Sequence, residues 1–492
     1  MFQKKQFFIY FALYFLIRIF SYFFNPPTPL LPGSIINTLA AAVILCLSAY
    51  WVAKNDIRGW LIIASEILLC GSGNIFSVFG VSLRTLLLAT SIAIFFYQTL
   101  KERNLKSIFV FKFPNIAIFI LLDWAIISAA LGAYHQHSIG LVISDFIPYL
   151  FFLYYFPLTK LLKSDRFKTA VFNLLAAAFL ANAVFLFLTF IFFTFGLVHM
   201  QDSYYHWFRD VAQGKITPLG FDFYRLVLNE HLLLIPLIIF FTYQNIHRPN
   251  RLYDLCIIAG ALLISVNLTR IYFLALIAGL IILFSRKMFK QWFINAFILL
   301  SCIFIFFTGF YLVASRGADP GWSLFGFRVS SIVLPETEYS SLSRMLLLPQ
   351  ILYKIQLAPV LGHGLGDTVT IRSGHFIGSG ITTPHFDWGY LEILAETGFI
   401  GLILWLIIIV YTWRFGKKKS GDYRPLFTAI LAAMLITNIT SPALFHVFGI
   451  IVTTFLMAQS RVFSEQSGAP LQTGSPFGLS KGDDKQNLAT NG

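Results

Sequence analysis

The stretch "FIGLILWLIIIVYTW", residues 399–413, decides the fold, because it is an apolar run without a single charged side chain. With the residues before it, this run is long enough for a helix that crosses the roughly 30 Å hydrocarbon core of a bilayer. The whole chain has the same character: of its 492 residues 57% are hydrophobic, 12% are charged and 55 are Phe. This composition predicts a polytopic membrane protein and excludes a soluble domain with one anchor.

Further apolar runs of similar length recur along the chain. Taking each run of about 17 to 25 residues as a membrane-crossing helix, we predict fourteen segments: 7–24, 35–53, 59–76, 84–99, 113–134, 141–159, 169–196, 226–243, 252–269, 271–285, 293–314, 389–413, 425–441 and 444–459. The shortest runs, and a last pair that is also compatible with one broken helix, leave a range of 12–14 helices. The predicted fold class is all-α, a polytopic transmembrane bundle that forms one domain over residues 1–459.

Basic residues predict the orientation of the bundle, since Lys and Arg resist translocation. If the N-terminus is cytoplasmic, most of the 36 Lys and Arg residues fall on cytoplasmic segments, so both termini are predicted to lie inside. The net charge of +14 is then mainly a topology signal, and no basic patch with interleaved aromatic residues indicates nucleic-acid binding. Residues 460–492 are rich in Gly, Ser, Gln and Pro, which predicts a disordered cytoplasmic tail.

The cysteine pattern indicates neither a disulfide framework nor a metal site. All four cysteines fall within apolar runs at unrelated spacings, as expected of small buried hydrophobic residues: Cys46, Cys70, Cys256 and Cys302. We therefore predict no metal and no cofactor.

Two predicted outer connections are longer than the others. Residues 197–225 form a medium loop of aromatic and mixed-charge character, and residues 315–388 form a far longer one before the third-last helix. Long connections are usually functional or disordered, and the second loop does not have a disordered composition. Within it, "SSLSRMLLLPQILYKIQL" predicts an amphipathic helix near the outer surface, bent at Pro349.

Polar residues concentrate in "TPHFDWGYLEILAETG", residues 383–398, where the apolar helix begins. The simplest interpretation is structural: Asp387 caps the helix, and Glu392 and Glu396 lie in its first turns, where the macrodipole favours carboxylates. This interpretation explains His385 less well, because a cap does not need an imidazole. It also leaves open why the two glutamates lie on one side of the helix, one turn apart.

The glycine-rich element "GHGLG", residues 362–366, invites comparison with a phosphate-binding loop. No lysine of the expected spacing follows it and no predicted strand precedes it, so this interpretation fails. We interpret the element as a turn that lets the long loop re-enter the protein.

Several of these features follow one another in a recognisable order. Arg344 belongs to the amphipathic helix, "PVLGHGLG" follows, and His385 comes shortly before "YLEILAETGFIGL". Earlier in the chain, "GFDFYRLVLNEHLLLIPL" and "SVNLTRIYFLALIAGLIILF" contain Arg225 and Arg270. This order resembles the O-antigen ligase and O-antigen polymerase superfamily of bacterial membrane glycosyltransferases, over roughly residues 215–459.

The resemblance implies a reaction in which a glycan moves from a polyprenyl (undecaprenyl) diphosphate carrier to a hydroxyl acceptor, without metal or nucleotide sugar. It implies His385, Arg344 and Glu392 as catalytic residues, the histidine assisting the acceptor hydroxyl. Arg225, Arg270 and Arg344 would bind the diphosphate, for which a guanidinium supplies a permanent, bidentate charge. Further loop candidates, on charge and position alone, are Arg209, Arg316, Arg328, Arg372, His363 and His375.

The resemblance also implies a location and partners. The protein would lie in the bacterial inner membrane with its active face outside, and would meet a lipid-linked glycan donor, a glycan or lipid acceptor, and a chain-length regulator or flippase. For each arginine, the alternative is a surface side chain that reaches lipid phosphate.

Three other functions stay open at this point. A ligase would transfer the finished chain, whereas a polymerase would lengthen it, and the two outer loops favour a polymerase-like protein that handles long carbohydrate at two places. A transporter or flippase is the alternative from another class, although no repeat of one half of the chain in the other is visible. The third alternative is a structural partner in envelope glycan assembly.

Overall fold

The structure is a computed structural model, which describes residues 3–25, 34–71, 74–102, 113–334, 339–371, 381–384, 386–419 and 423–466. The helices, numbered in chain order, are α1 (Lys4–Phe24), α2 (Ile35–Ala53), α3 (Ile57–Leu69), α4 (Leu83–Lys101), α5 (Phe113–Tyr134), α6 (Ile139–Leu150), α7 (Tyr155–Leu161), α8 (Asp165–Thr194), α9 (Ser203–His206), α10 (Leu234–His247), α11 (Arg251–Asn267), α12 (Arg270–Ile282), α13 (Phe289–Ala314), α14 (Trp322–Val333), α15 (Tyr339–Leu357), α16 (Gly389–Lys419), α17 (Arg424–Thr437) and α18 (Val447–Gln466).

The strands form three small antiparallel hairpins: β1 (Ser77–Val78) with β2 (Val81–Ser82), β3 (Lys215–Pro218) with β4 (Tyr224–Val227), and β5 (Val369–Ile371) with β6 (Ile381–Thr383). Each hairpin lies in a connection between helices. The predicted amphipathic helix of the long loop is α15, which contains Pro349.

Among the described residues, eight helical segments are long and apolar enough to cross a membrane: Lys4–Phe24, Ile35–Ala53, Leu83–Lys101, Phe113–Tyr134, Ile139–Leu161, Asp165–Thr194, Arg286–Ala314 and Gly389–Arg414. Shorter apolar helices cover Arg270–Ile282, Arg424–Thr437 and Val447–Phe463. Each of the predicted segments contains a helix, and the predicted all-α polytopic bundle is confirmed.

Two segments differ in detail from the prediction. The predicted span 226–243 begins with the end of β4 and a 3-10 turn, Asn229–Leu233, so α10 starts only at Leu234. The polar triplet of Asn, Glu and His in that turn forms hydrogen bonds to other segments, which a lipid-facing helix would not provide. The predicted tail from residue 460 begins as helix, since α18 continues to Gln466, and residues 467–492 lie outside the described residues.

The bundle has two ends with different roles. We call the end that carries residues 197–233 and the described residues of 315–388 the loop end. The end where α1 begins and α18 finishes is the terminal end. At the terminal end, the backbone N–H of Gln3 donates to Asn173 Oδ1 at 3.3 Å. At the same end, Lys163, which follows α7, forms an ion pair of 2.8 Å with Glu465 of α18.

A charged pair lies inside the bundle between α1 and the 3-10 turn before α10. Arg18 is 3% exposed, and its Nη2 donates to Glu230 Oε1 at 2.8 Å. Its Nη1 donates to the Leu69 carbonyl at 2.5 Å, and Asn182 Nδ2 donates to the same Glu230 oxygen at 3.0 Å. The Arg18 guanidinium also lies 3.5 Å from the centre of the Tyr14 ring. Charges at this depth persist only when paired.

A second buried ion pair joins α3 and α4, where Arg84 Nε lies 3.2 Å from Glu66 Oε2. Sequence analysis singled out neither pair, because the partners of the first lie far apart in the chain and Arg84 falls at the edge of an apolar run.

Removing one charge of the first pair should destabilise the bundle. We expect Glu230→Gln to lower the free energy of unfolding by about 3–5 kcal/mol, because the Arg18 charge would stay buried without its counter-ion. Replacing both residues, Arg18→Met with Glu230→Leu, should recover most of that loss. The measurement is thermal unfolding of the detergent-purified protein.

Glu465→Gln is the matched control for this pair, because it breaks ion pairs with Lys163 and Arg461 at the protein surface and should change stability by less than about 1 kcal/mol. Equal stability of Glu230→Gln and the control would contradict a structural role for the buried pair.

Candidate functional site

The start of α16 is interrupted at Gly398, whose φ of 66° and ψ of −172° are not helical. A break leaves backbone groups of the adjoining turns without partners in their own helix. Here these groups bond to other segments, mostly the loop segment 359–366, which we call the re-entrant segment. The bonds are His363 N to Ala395 O (2.8 Å), Gly364 N to Glu396 O (2.9 Å), Phe399 N to Pro359 O (2.9 Å) and Trp124 Nε1 to Thr397 O (3.0 Å).

The glycines of "GHGLG" allow the re-entrant segment to lie between α5 and α16. All three have positive φ, of 75°, 90° and 77°, which favours glycine. A Cβ on Gly364 would lie 2.0 Å from the backbone N of Gly132, so the two backbones are in direct contact. Leu365 N donates to the Ser128 carbonyl at 3.0 Å. The prediction of a turn that re-enters the protein is confirmed.

Asp367 follows the re-entrant segment and is 3% exposed. Its Oδ1 accepts from Lys354 Nζ at 2.6 Å and lies 3.6 Å from His137 Nε2. One residue earlier, Gly366 N donates to Asp145 Oδ2 at 3.0 Å. The loop, α6 and α15 therefore meet in a buried polar pocket.

Glu392 and Glu396 face this pocket from α16, and both lie within electrostatic reach of Asp145. Glu396 is 7% exposed, and among the described residues nothing hydrogen-bonds to Glu392 Oε2. We call Asp145, Asp367, Glu392 and Glu396 the carboxylate cluster. Acidic groups in this number next to few bases can accept protons or hydrogen bonds from hydroxyl groups.

Arg344 lies on α15 beside the start of α16. Its Nε is 3.9 Å from Asp387 Oδ2, and its carbonyl accepts from Trp388 Nε1 at 3.3 Å. The helix begins at Gly389, so the residue that precedes its first turn is Trp388. Asp387, one position earlier and with a φ of 56°, is oriented toward Arg344. The structure therefore does not place Asp387 at the cap position of this helix.

Arg225 is held at the junction between α11 and α12. Its Nε donates to the Asn267 carbonyl at 2.7 Å, and its Nη2 donates to Thr269 Oγ1 at 2.8 Å. Asn267 Nδ2 also donates to His231 Nδ1 at 2.6 Å. The strand β4 and the turn before α10 are thus bonded to Asn267 and Thr269, which lie shortly before Arg270.

Arg270 continues this line of contacts toward α15. Its Nη2 donates to Ser341 Oγ at 2.9 Å, and its Nη1 donates to the Arg328 carbonyl at 3.4 Å. Ser341 lies about one helical turn before Arg344 on α15. We call Arg225, Arg270 and Arg344 the arginine series, because contacts through the α11–α12 junction and α15 connect them.

The remaining candidates in the described part of the chain have structural contacts. Arg209 donates to Asp210 Oδ1 at 2.6 Å, and this hydrogen bond holds the pKa of Asp210 below its usual value. Arg316 lies 3.7 Å from Asp222. His363 Nε2 donates to the Lys354 carbonyl at 3.0 Å, which fixes the end of α15 to the re-entrant segment.

Three predicted candidates, His385, Arg372 and His375, lie outside the described residues. The neighbours of His385 in the chain, Phe386 and Asp387, lie at the side of α16 that faces α15.

Sequence analysis missed most of the polar pocket, namely Asp145, Asp367, Lys354 and His137. A signal was present for one of them, since Asp367 directly follows "GHGLG". The others come from α15 and from the α5–α6 region, and one sequence does not reveal that these regions meet. Within the described ranges, no three His, Cys, Asp or Glu side chains are grouped so that they could hold a metal ion.

The close packing of the glycine turn can be tested by substitution. We expect Gly364→Ala to lower the free energy of unfolding by roughly 2–5 kcal/mol, because Ala is strained at positive φ and its Cβ would collide with Gly132. Gly309→Ala, a helical glycine of α13 with no atom near its absent Cβ, is the control and should change stability by at most about 1 kcal/mol. Thermal unfolding in detergent measures both, and equal melting temperatures would contradict the described packing.

Comparison with known proteins adds no relative: no family model matches the chain, and no curated protein matches it. The resemblance to the O-antigen ligase and polymerase superfamily stays a prediction from the residues quoted above.

Proposed function

We propose that the protein is a polymerase-like glycosyltransferase that takes its glycan from a polyprenyl diphosphate carrier. The observation that carries this proposal is the arginine series, Arg225, Arg270 and Arg344, which contacts through Thr269 and Ser341 connect at one end of a membrane bundle. A diphosphate at the membrane surface needs several fixed positive charges, and guanidinium groups match the geometry of phosphate oxygens. A guanidinium stays protonated at any physiological pH, so the series supplies permanent positive charge.

The chemistry needs one base and a stabilised leaving group. In the proposed reaction, the acceptor hydroxyl oxygen attacks the anomeric carbon of the donor sugar, and the bond between that carbon and the phosphate oxygen breaks. The electron pair leaves with the diphosphate, whose charge the arginine series stabilises. The hydroxyl proton passes to His385, or to Glu392 of the carboxylate cluster.

The proposed location follows from the basic residues of the sequence. The protein lies in the bacterial inner membrane, with both termini in the cytoplasm and the loop end outside. Its partners are the lipid-linked donor, a glycan or lipid acceptor, and a chain-length regulator or flippase. An O-antigen ligase, which transfers the finished chain to a lipid A-core acceptor, would use the same groups.

A transporter or flippase is the second candidate, and the break at Gly398 favours it. Interrupted helices and buried charges are typical of binding sites in secondary transporters. The two candidates differ in what purified protein does: a glycosyltransferase lengthens or transfers the glycan in detergent, where no gradient or second compartment exists, whereas a transporter does nothing measurable there.

Arginine substitutions test the proposed diphosphate site. Arg270→Ala and Arg344→Ala should each lower glycan transfer from a polyprenyl-diphosphate-linked donor by about 10²–10³-fold, the size of effect seen when one charge-stabilising donor is removed. The lysine variants should lie between wild type and alanine, because a lysine keeps the charge but loses the bidentate geometry. His385→Ala should also lose transfer.

Arg58→Ala is the control for these variants. Arg58 lies at the terminal end, where its Nη2 donates to Asp56 at 2.7 Å, and its loss should leave transfer unchanged. If Arg270→Ala and Arg344→Ala, present at normal level, restore full-length surface polysaccharide in the deletion strain, the proposed site is wrong. In that strain, single units attached to the acceptor indicate a polymerase, and unused long lipid-linked chains indicate a ligase.

Cysteine labelling tests the proposed orientation. In a variant without native cysteines, Lys215→Cys in β3 should react with a membrane-impermeant maleimide in intact spheroplasts, because Lys215 is exposed at the loop end. Lys54→Cys, exposed at the terminal end, should react only after permeabilisation. The reverse pattern would place the arginine series in the cytoplasm and contradict the proposal.

A further inference from the structure

An apolar cavity lies in the terminal half of the bundle, and none of the arginine series or the carboxylate cluster lines it. It has a volume of about 250 Å³ and opens between α3, α7, α8, α10, α17 and α18. Its walls are aliphatic and aromatic, with Ile63, Leu237, Phe427 and Phe455 as examples. Atoms that line an apolar cavity gain dispersion contacts when a hydrocarbon group packs against them, whereas water does not fill such a space. A hydrocarbon chain is the natural occupant.

A polar cleft of about 300 Å³ adjoins this cavity at the same end of the bundle. Trp60, Pro157 and Leu161 line both spaces, so the cavity and the cleft adjoin at these three residues. The other groups that line the cleft are mostly polar: Asn55, Gln98, Thr99, Glu102, Lys160 and Ser164. An apolar cavity beside a polar cleft matches a molecule with a tail and a head group.

Two buried polar groups in the cavity wall point to a ligand. Gln459 is 5% exposed, and its Nε2 has no hydrogen-bond partner within the described part of the chain. Thr454 of the same wall is fully buried, and its Oγ1 also has no hydrogen-bond partner among the described residues. Buried donors nearly always have an acceptor, and a ligand in the cavity could supply one. An ester carbonyl between a hydrocarbon chain and a head group would supply it.

Charge selects the kind of head group. Lys160 is exposed at the cleft, its Nζ lies 5.0 Å from the Phe95 ring, and it forms no ion pair with any carboxylate among the described residues. Glu102 is the one acidic residue among the groups that line the cleft. Other basic residues surround the same end of the bundle: Lys54, Arg58, Lys101, Lys163 and Arg166. Clusters of Lys and Arg beside membrane helices attract anionic lipids.

We propose that this composite site binds one anionic phospholipid of the leaflet at the terminal end. One acyl chain fills the apolar cavity, the ester carbonyl accepts from Gln459 Nε2, and the phosphate lies near Lys160. The site does not depend on the proposed glycosyl transfer, since none of its residues belongs to the arginine series or the carboxylate cluster.

The test is the lipid bound to purified protein, after reconstitution in vesicles of equal parts phosphatidylglycerol and phosphatidylethanolamine. After detergent extraction, native mass spectrometry should show one phospholipid on the wild type, with phosphatidylglycerol favoured at least 10-fold. Ala64→Phe, which fills the cavity, should lower the bound fraction at least 10-fold. Lys160→Ala should keep a bound lipid but lose the preference for phosphatidylglycerol, and Gln459→Leu should lower occupancy several-fold.

Ala89→Phe is the matched control, because Ala89 is exposed on the outside of α4 and the same change there should leave the bound lipid as in wild type. A wild type that retains no more phospholipid than Ala64→Phe would overturn the proposal. So would a retained lipid that is a polyprenyl phosphate, or an unchanged preference in Lys160→Ala. If Ala64→Phe fails to fold, the surface variant Lys160→Ala is the test. Loss of the preference for phosphatidylglycerol supports the site, and an unchanged preference overturns it.

Discussion

Backbone hydrogen bonds between the re-entrant segment and the interrupted helix α16 determine the arrangement of the loop end. A break in a membrane helix releases backbone groups that lipid cannot satisfy, so protein must cover them. Here the N–H groups of His363 and Gly364 reach the carbonyls of Ala395 and Glu396. This exchange requires two main chains in direct contact, which explains glycine at Gly398 and in the facing turn. The same contact brings Asp367 and the glutamates of α16 into one pocket.

The amphipathic helix α15 is fixed by bonds at two points along its length. Near its start, the carbonyl of Arg344 accepts from Trp388 Nε1, and near its end the carbonyl of Lys354 accepts from His363 Nε2. One donor, Trp388, directly precedes α16, and the other, His363, belongs to the re-entrant segment that bonds to the break in α16. The position of Arg344 relative to Arg270 therefore depends on the loop, the break and α15 together, and a change in any of them would alter the spacing of the arginine series.

The sequence predicted the helices well and the site only in part. Long apolar runs determine helices in a membrane because backbone groups there have no other partners, and "GHGLG" indicated a turn because its glycines tolerate positive φ. The break at Gly398 was not predictable, since "TGFIGL" is compatible with a continuous helix until a second segment competes for its backbone. The arginines and Glu392 were proposed as site residues from a resemblance. Their contacts are now described, and their roles stay predictions.

Groups that meet only through folding were beyond the reach of sequence reasoning. Lys354 and Asp367 lie near each other in the chain, but His137 and Asp145 come from a distant region, and spacing carries no trace of their contact. The same holds for Arg18 and Glu230, which are 212 residues apart. The central prediction, His385, lies outside the described residues.

Buried ion pairs seldom add much net stability, so the pair of Arg18 and Glu230 needs another explanation. Glu230 lies in the short turn that follows β4, and the next residue, His231, accepts from Asn267. Asn267 in turn accepts from Arg225 through its carbonyl. Arg18 therefore anchors, from inside the bundle, the turn whose other contacts hold an arginine of the proposed diphosphate site. On this view the charge pair specifies geometry: it fixes the turn at one depth and one orientation, which an apolar pair of equal volume would leave free to shift.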